Sequence, residues 1–160
     1  MTEIDFAFES DRLSVVSLDA DIDIDVVAAI ISPNVTEHLP PDLQTSPDTD
    51  PAMWLARLQA GGDVFSVIAN KTLIGFLTLH RQSAGEIMIG YLFGQQHWGK
   101  GYASELAKGF VANLKQQGWQ GKIQGGVDAG NPASAAVLKK AGFASIGPGP
   151  SGVEFFQLEL

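Results

Sequence analysis

The sequence predicts an α/β domain in which a mixed, largely antiparallel and twisted sheet is flanked by about four helices. Three observations lead there. Strand-type runs from Val64 to Ala69, Leu73 to Leu79 and Glu86 to Phe93 follow one another at hairpin distances. After Phe93 the apolar repeat switches abruptly from strand-like to helical. From there to Leu160, helix-type and strand-type segments alternate.

Taken in order, Leu13 to Leu18 reads as a first strand interrupted by Ser and Asp. Ile24, Val27, Ala28 and Ile31 repeat at helical spacing, with Asp21 and Asp23 placed to cap the start. Pro33 and the polar stretch from Pro40 to Thr49 predict a long loop. Asp50 before Pro51 then signals a short second helix whose Met53, Trp54, Leu55 and Leu58 face inward, and Gly61 and Gly62 stop it. Asn70 and Lys71 form a tight turn between the next two strands. Ala103, Leu106, Ala107, Phe110, Val111 and Leu114 share one face of a helix that Gly118 ends. Ile123 to Asp128 is a further strand, Asn131 before Pro132 opens a helix that ends at Gly142, and Val153 to Leu160 closes the chain as a strand after a Gly and Pro loop. An exposed final strand would offer its edge to a second subunit, giving a homodimer.

The 160 residues, 45% hydrophobic, fit a single domain over 1–160, a length that buries about 70% of the unfolded chain's surface. The longest purely apolar stretch, Val26 to Ile31, is far short of a membrane span, and the acidic start from Met1 to Arg12 lacks the form of a secretory signal; a cytoplasmic location is expected. The absence of cysteine excludes disulfide scaffolds, thiolate metal sites and a cysteine nucleophile. A net charge of -8 argues against general nucleic-acid binding; it could attract a cationic substrate such as an amine, but the simpler reading is that it serves solubility. His38, His80 and His97 show no metal-ligand spacing, so no metal site is expected.

The most informative segment joins Phe93 to the helix beginning near Tyr102. Gly99 and Gly101 let the backbone turn so that several N–H groups point one way, beside the helix's positive end, which makes an anion site suited to a phosphate or pyrophosphate. Three readings compete. Gly94 to Lys100 spells most of a nucleotide-binding P-loop, yet Gly101 stands where that loop needs a hydroxyl for magnesium, and no strand ends in an obvious magnesium-binding Asp to compensate, although Asp128 is available. The second is a glycine turn that binds nothing. The third is a coenzyme site, drawn from Gln96-x-x-Gly99-x-Gly101.

That pattern resembles the Q/R-x-x-G-x-G/A loop of the GNAT superfamily of N-acetyltransferases. Gly90-Tyr91, the run Trp98 to Ala103 with Glu105, Asn131-x-x-Ser134, and Val137-Leu138-x-Lys140-x-Gly142-Phe143 are similar to its ribosomal-protein N-terminal acetyltransferase (RimJ/RimL-like) branch, as are Arg12-Leu13 and Trp54-Leu55. The resemblance spans nearly the whole chain and implies a GNAT-like sheet. It further implies acetyl-coenzyme A as acetyl donor, its pyrophosphate on backbone N–H groups from Gly99 to Ala103, and its pantetheine arm along the strand ending at Phe93 and held by Asn131. Gln96, Trp98, Lys100 and Tyr102 complete the implied binding set.

The implied reaction is direct attack of a primary amine, such as a protein or peptide N-terminal amine, on the thioester, with no covalent enzyme intermediate. The family's usual tyrosine donor falls at Leu138. The branch's alternative donor is Ser134, whose other reading is hydrogen bonding to the helix backbone. For the proton acceptor, Glu86 and Glu154 are the strand carboxylates that could reach the site directly or through water, whereas the branch's usual acid aligns with Met88; the other readings of either Glu are a solvated carboxylate or a group that binds the substrate's positive charge. Tyr91 is expected in the core. The rival class is a coenzyme A sensor or interaction module that keeps the loop and has lost catalysis.

Overall fold

The computed structural model describes residues 3–160. Its eight strands are β1 (Phe8–Glu9), β2 (Ser14–Ser17), β3 (Asp63–Ala69), β4 (Thr72–Ser83), β5 (Glu86–Phe93), β6 (Lys122–Asp128), β7 (Ala144–Pro148) and β8 (Val153–Glu159). The helices are α1 (Ile24–Ile30), α2 (Pro33–Thr36), α3 (Pro51–Ala60), α4 (Tyr102–Gln116) and α5 (Pro132–Lys140). One sheet of order β1-β2-β3-β4-β5-β6-β8-β7 forms the centre. Every neighbouring pair is antiparallel except β5 with β6, which run parallel.

Local signals set the helix starts. Asp23 accepts from the Asp25 N–H at 3.0 Å, so Asp23 alone of the two expected acids caps α1. Asp50 accepts from Ala52 and Met53 at 2.9 and 3.3 Å, with Pro51 at the first helical position, where its missing N–H costs nothing. The Asn70-Lys71 turn has positive φ at both residues, 52° and 62°, as a two-residue hairpin requires.

Each face of the sheet has its own core. Ile89, Phe93, Ile123, Val127 and Phe156 pack under α4 and α5, where Leu106, Phe110, Leu114 and Leu138 are buried. Val64, Phe76 and Leu92 pack on the opposite face under α1 and α3, against Val27, Ile30, Trp54, Leu55 and Leu58. Trp54 is fully buried, and its indole N–H donates to the Leu43 carbonyl at 2.7 Å, which ties the Pro-containing loop to α3.

Four expectations are corrected. Met53 is 56% exposed, because the buried stripe of α3 runs through 54, 55 and 58 and leaves 53 beside it. Pro33 starts a single helical turn, α2, within the expected loop. The Gly and Pro segment before the last strand contains β7, which pairs along β8 despite a register shift between Ser145 and Gly147. Consequently β8 lies inside the sheet between β6 and β7 and has no free edge to offer a second subunit; β1 and β7 are the edges.

Candidate functional site

Two adjacent parallel strands part company in the middle of the sheet. β5 and β6 pair only through Glu86 with Lys122, Ile87 with Ile123 and Met88 with Gln124, although β5 continues to Phe93 and β6 to Asp128. Beyond Met88 and Gln124 the strands splay, and each keeps pairing on its outer side, β5 with β4 and β6 with β8. The facing backbone groups of the two splayed segments find no partner in each other, so the cleft is lined by donors and acceptors that an extended polar chain can satisfy.

At the open end of that cleft lies the glycine loop. Gly99 and Gly101 adopt φ of 74° and 79°, a region that penalises any side chain, and a Cβ on Gly99 would meet nothing within 4 Å. Gly101 is the N-cap of α4 and supplies no side chain to it. The N–H groups of Tyr102, Ala103 and Ser104 have no carbonyl one turn back, and with the helix's positive end they offer an anion site on a fifteen-residue helix.

Arg12, in the bend between β1 and β2, holds this loop in shape. Its Nη1 donates to the Lys100 carbonyl at 2.9 Å, its Nε to Glu105 Oε1 at 2.7 Å, and its guanidinium stacks 4.5 Å above the Tyr102 ring. Glu105 Oε2 also accepts from Ser10 Oγ at 2.5 Å and the Arg12 N–H at 2.8 Å. Partial burial pushes the Glu105 carboxyl up, but the bonds from Ser10 and Arg12 outweigh it and hold the group below the usual carboxylate range.

Other predicted residues surround the loop. The Trp98 indole is half exposed, and its N–H donates to the Phe93 carbonyl at 3.0 Å, closing the end of β5. Gln96 folds back over Gly94, its Oε1 2.9 Å from where a Cβ would sit. Lys100 is exposed. Desolvation, then the charge of Lys100, lowers the His97 pKa. Asn131 caps α5, accepting from the Ser134 N–H at 3.3 Å, and its Nδ2 makes no hydrogen bond among the described residues.

Ser134 Oγ does not bond to the helix backbone. It lies 3.0 Å from the Tyr91 hydroxyl, across the cleft on β5. Tyr91 was expected in the core, and its ring does pack against it, but its hydroxyl belongs to the cleft. Burial pushes the Tyr91 phenol up, and the Ser134 bond opposes this in part. Sequence spacing gave no sign of the pair, because its members stand 43 positions apart on different elements.

The two expected carboxylates occupy different parts of the sheet. Glu86 lies at the closed end of β5, its Oε2 accepting from Ser83 Oγ at 3.2 Å. Glu154 is opposite Val127 and therefore on the α4 and α5 face, the side of Ser134. A pair that sequence reasoning missed closes the opposite face: His38, after α2, meets Asp128, the last residue of β6, with Nδ1 2.7 Å from Oδ2. That bond holds the Asp128 carboxyl below its ordinary range. Among the described residues no group of three His, Asp or Glu side chains is arranged to hold a metal, and no helix is long and apolar enough to cross a membrane.

The fold has known counterparts. A family model described as an acetyltransferase (GNAT) domain matches residues 12–144. The uncharacterized protein YkkB of Bacillus subtilis (strain 168) is 41% identical over 54 residues, 34% of this chain, and the match spans only 31% of that relative's length. A GNAT-family acetyltransferase from Bacillus anthracis superposes with a TM-score of 0.78 at 18% identity, covering 96% of this chain and 98% of that one. Spermidine N-acetyltransferase from Vibrio cholerae, solved with CoA and spermine, gives 0.71 at 17%, covering 94% and 96%. The ribosomal-protein α-N-acetyltransferase RimL, solved with coenzyme A, gives 0.71 at 16%, also covering 94% and 96%.

Proposed function

Because this chain belongs to the acetyltransferase (GNAT) domain family, we propose that it is a one-domain N-acetyltransferase, spanning 1–160, that moves an acetyl group from acetyl-coenzyme A to a primary amine. The observation that carries this reading is the splay of β5 from β6 beyond Met88 and Gln124, with the uncapped N-terminus of α4 at its open end. A long, thin ligand with a pyrophosphate at one end and amide groups along its length matches both parts. The N–H groups from Gly99 to Ala103 take the pyrophosphate, and the free edge of β5 up to Phe93, with Asn131 opposite, takes the amide-bearing arm. Gln96, Trp98, Lys100 and Tyr102 border that path.

Acetyl-coenzyme A, when bound, supplies an acetyl thioester at the inner end of the cleft. The chain's own contribution there is Ser134, aimed across the cleft with the Tyr91 hydroxyl behind it. Ser134 Oγ delivers a proton to the departing sulfur, and Tyr91 replaces it through their 3.0 Å contact. The favoured acceptor class is a protein or peptide N-terminal amine, as the RimJ/RimL-like motifs imply; a polyamine is the alternative that the acidic surface suits.

Thiol release from acetyl-coenzyme A, measured with a panel of peptides and polyamines, tests the reading. Turnover with at least one amine is expected. Tight coenzyme A binding with no turnover would favour the sensor reading, which the Leu138 replacement of the family's usual donor motivates.

A further inference from the structure

The acyl-transfer reading needs a group that takes the amine's proton, for which the sequence offers Glu86 and Glu154; on that reading we infer that His80 takes it instead. The register places His80 on β4 directly opposite Met88 on β5, and directly opposite residues of an antiparallel pair point to the same face. That face is the one shared with Phe76 and Leu92, under α1 and α3, and it is opposite the face of Tyr91 and Ser134. Met88 is the last residue of β5 to pair with β6, so His80 stands one strand, about 4.8 Å, from the inner end of the cleft. Beyond Met88 the same face continues as Gly90, where a Cβ would lie 2.8 Å from Thr78 Oγ1, so the missing side chain leaves room for that of Thr78.

The hydrogen bonding of the imidazole fits the role. Nδ1 lies 3.0 Å from the Gly61 carbonyl at the end of α3, and a carbonyl only accepts, so Nδ1 carries the hydrogen and Nε2 keeps its lone pair. His38 is built differently: Nδ1 faces Asp128 at 2.7 Å and Nε2 faces Glu37 Oε1 at 3.5 Å, so carboxylates sit at both nitrogens. His97 lies on the glycine loop. Of the three histidines, His80 alone presents an uncommitted Nε2 on the face opposite the thiol donor.

The two faces thus divide the chemistry. Nε2 of His80 takes the amine proton, directly or through one water, while the amine nitrogen bonds the acetyl carbon and the carbon–sulfur pair leaves on sulfur. Ser134, backed by Tyr91, protonates that sulfur. Solvent then removes the proton from the imidazolium and restores the one given by the hydroxyl pair, so one amine and one acetyl thioester give one amide and one thiol.

The test compares wild type, His80→Gln and His80→Ala, using spermidine and a short peptide with a free N-terminus as amines. Gln retains a donor for the Gly61 carbonyl and lacks a basic nitrogen. Acetyl-coenzyme A affinity by calorimetry is expected to match wild type in both variants, kcat to fall about 100-fold or more, and added imidazole to restore His80→Ala about tenfold. Independently of activity, 15N spectra of the wild-type side chain at about pH 8 should show the hydrogen on Nδ1. A His80→Gln enzyme within about threefold of an active wild type overturns this assignment alone, as does a spectrum with the hydrogen on Nε2 or a His80→Ala enzyme that imidazole does not rescue. A wild type that acetylates neither amine overturns the acyl-transfer reading together with it.

Discussion

At the scale of single residues, two positions govern the anion loop. Gly101 adopts φ of 79°, and a Cβ there would meet Arg12 Nη2 at 3.5 Å, so space is available but the backbone conformation is not. Gly101→Val should therefore abolish acetyl-coenzyme A binding by calorimetry and lower stability by about 1–2 kcal/mol, the cost of a left-handed residue with a side chain. Glu105 acts on the same loop through Arg12. Its folded pKa is depressed, so its stabilising contribution is fully present above the unfolded value of about 4.3 and fades as pH falls through the lower folded value. With the Arg12 side chain 47% exposed, solvent screening keeps the pair's contribution small. Glu105→Gln should lose about 1 kcal/mol at pH 7 in urea melts, with the difference from wild type closing as pH falls through the depressed folded value. Ser134→Ala tests the donor: kcat should drop by about 100-fold with acetyl-coenzyme A affinity unchanged, whereas a Ser with only a structural role would lower stability and leave kcat.

At the scale of elements, the cleft depends on α5 being seated correctly against the sheet. Leu138 is 2% exposed, and its Cδ1 lies 3.1 Å from where a Cβ on Gly125 would be, so this side chain packs tightly onto β6 at a glycine. Leu138→Ala should cost about 2–5 kcal/mol in thermal or urea unfolding and weaken acetyl-coenzyme A binding, because Asn131 and Ser134 ride on the same helix. A leucine has no proton to donate, so this position contributes packing on β6 and no acid.

How far the sequence was legible follows from how local each signal is. The caps at Asp50 and Asn131 and the Asn70-Lys71 turn involve residues within three positions, and they were readable. β7 was not, since Gly147 and Pro148 read as a loop and only pairing along β8 makes Ala144–Pro148 a strand. The shape of the glycine loop was readable because its glycines and its helix start are contiguous. The Tyr91–Ser134 and His38–Asp128 contacts join residues 43 and 90 positions apart, and His80 gains its meaning only through its register with Met88. Such relations come from sheet order, which periodicity does not carry.

At the scale of the whole molecule, the proposed mechanism assigns the two faces of the sheet different tasks: the α4 and α5 side takes the coenzyme and carries the proposed thiol donor, and the side of α1, α2 and α3, where His38 meets Asp128 and His80 stands, receives the amine. The net charge of -8 favours a cationic acceptor over long range. With a polyamine as substrate, kcat/KM should fall as salt rises from about 0.01 to 0.15 M, where the screening length shrinks from about 30 to 8 Å, and most of the change should appear in KM. The central claim is that the splayed strands and the α4 loop bind acetyl-coenzyme A for transfer to an amine. The most direct measurement is isothermal titration of the wild-type protein with acetyl-coenzyme A, followed in the same cell by addition of an amine panel with mass detection of acetylated product. One-to-one binding and an acetylated amine are predicted; absence of binding, or binding followed by no acetylated product from any amine, would contradict the account.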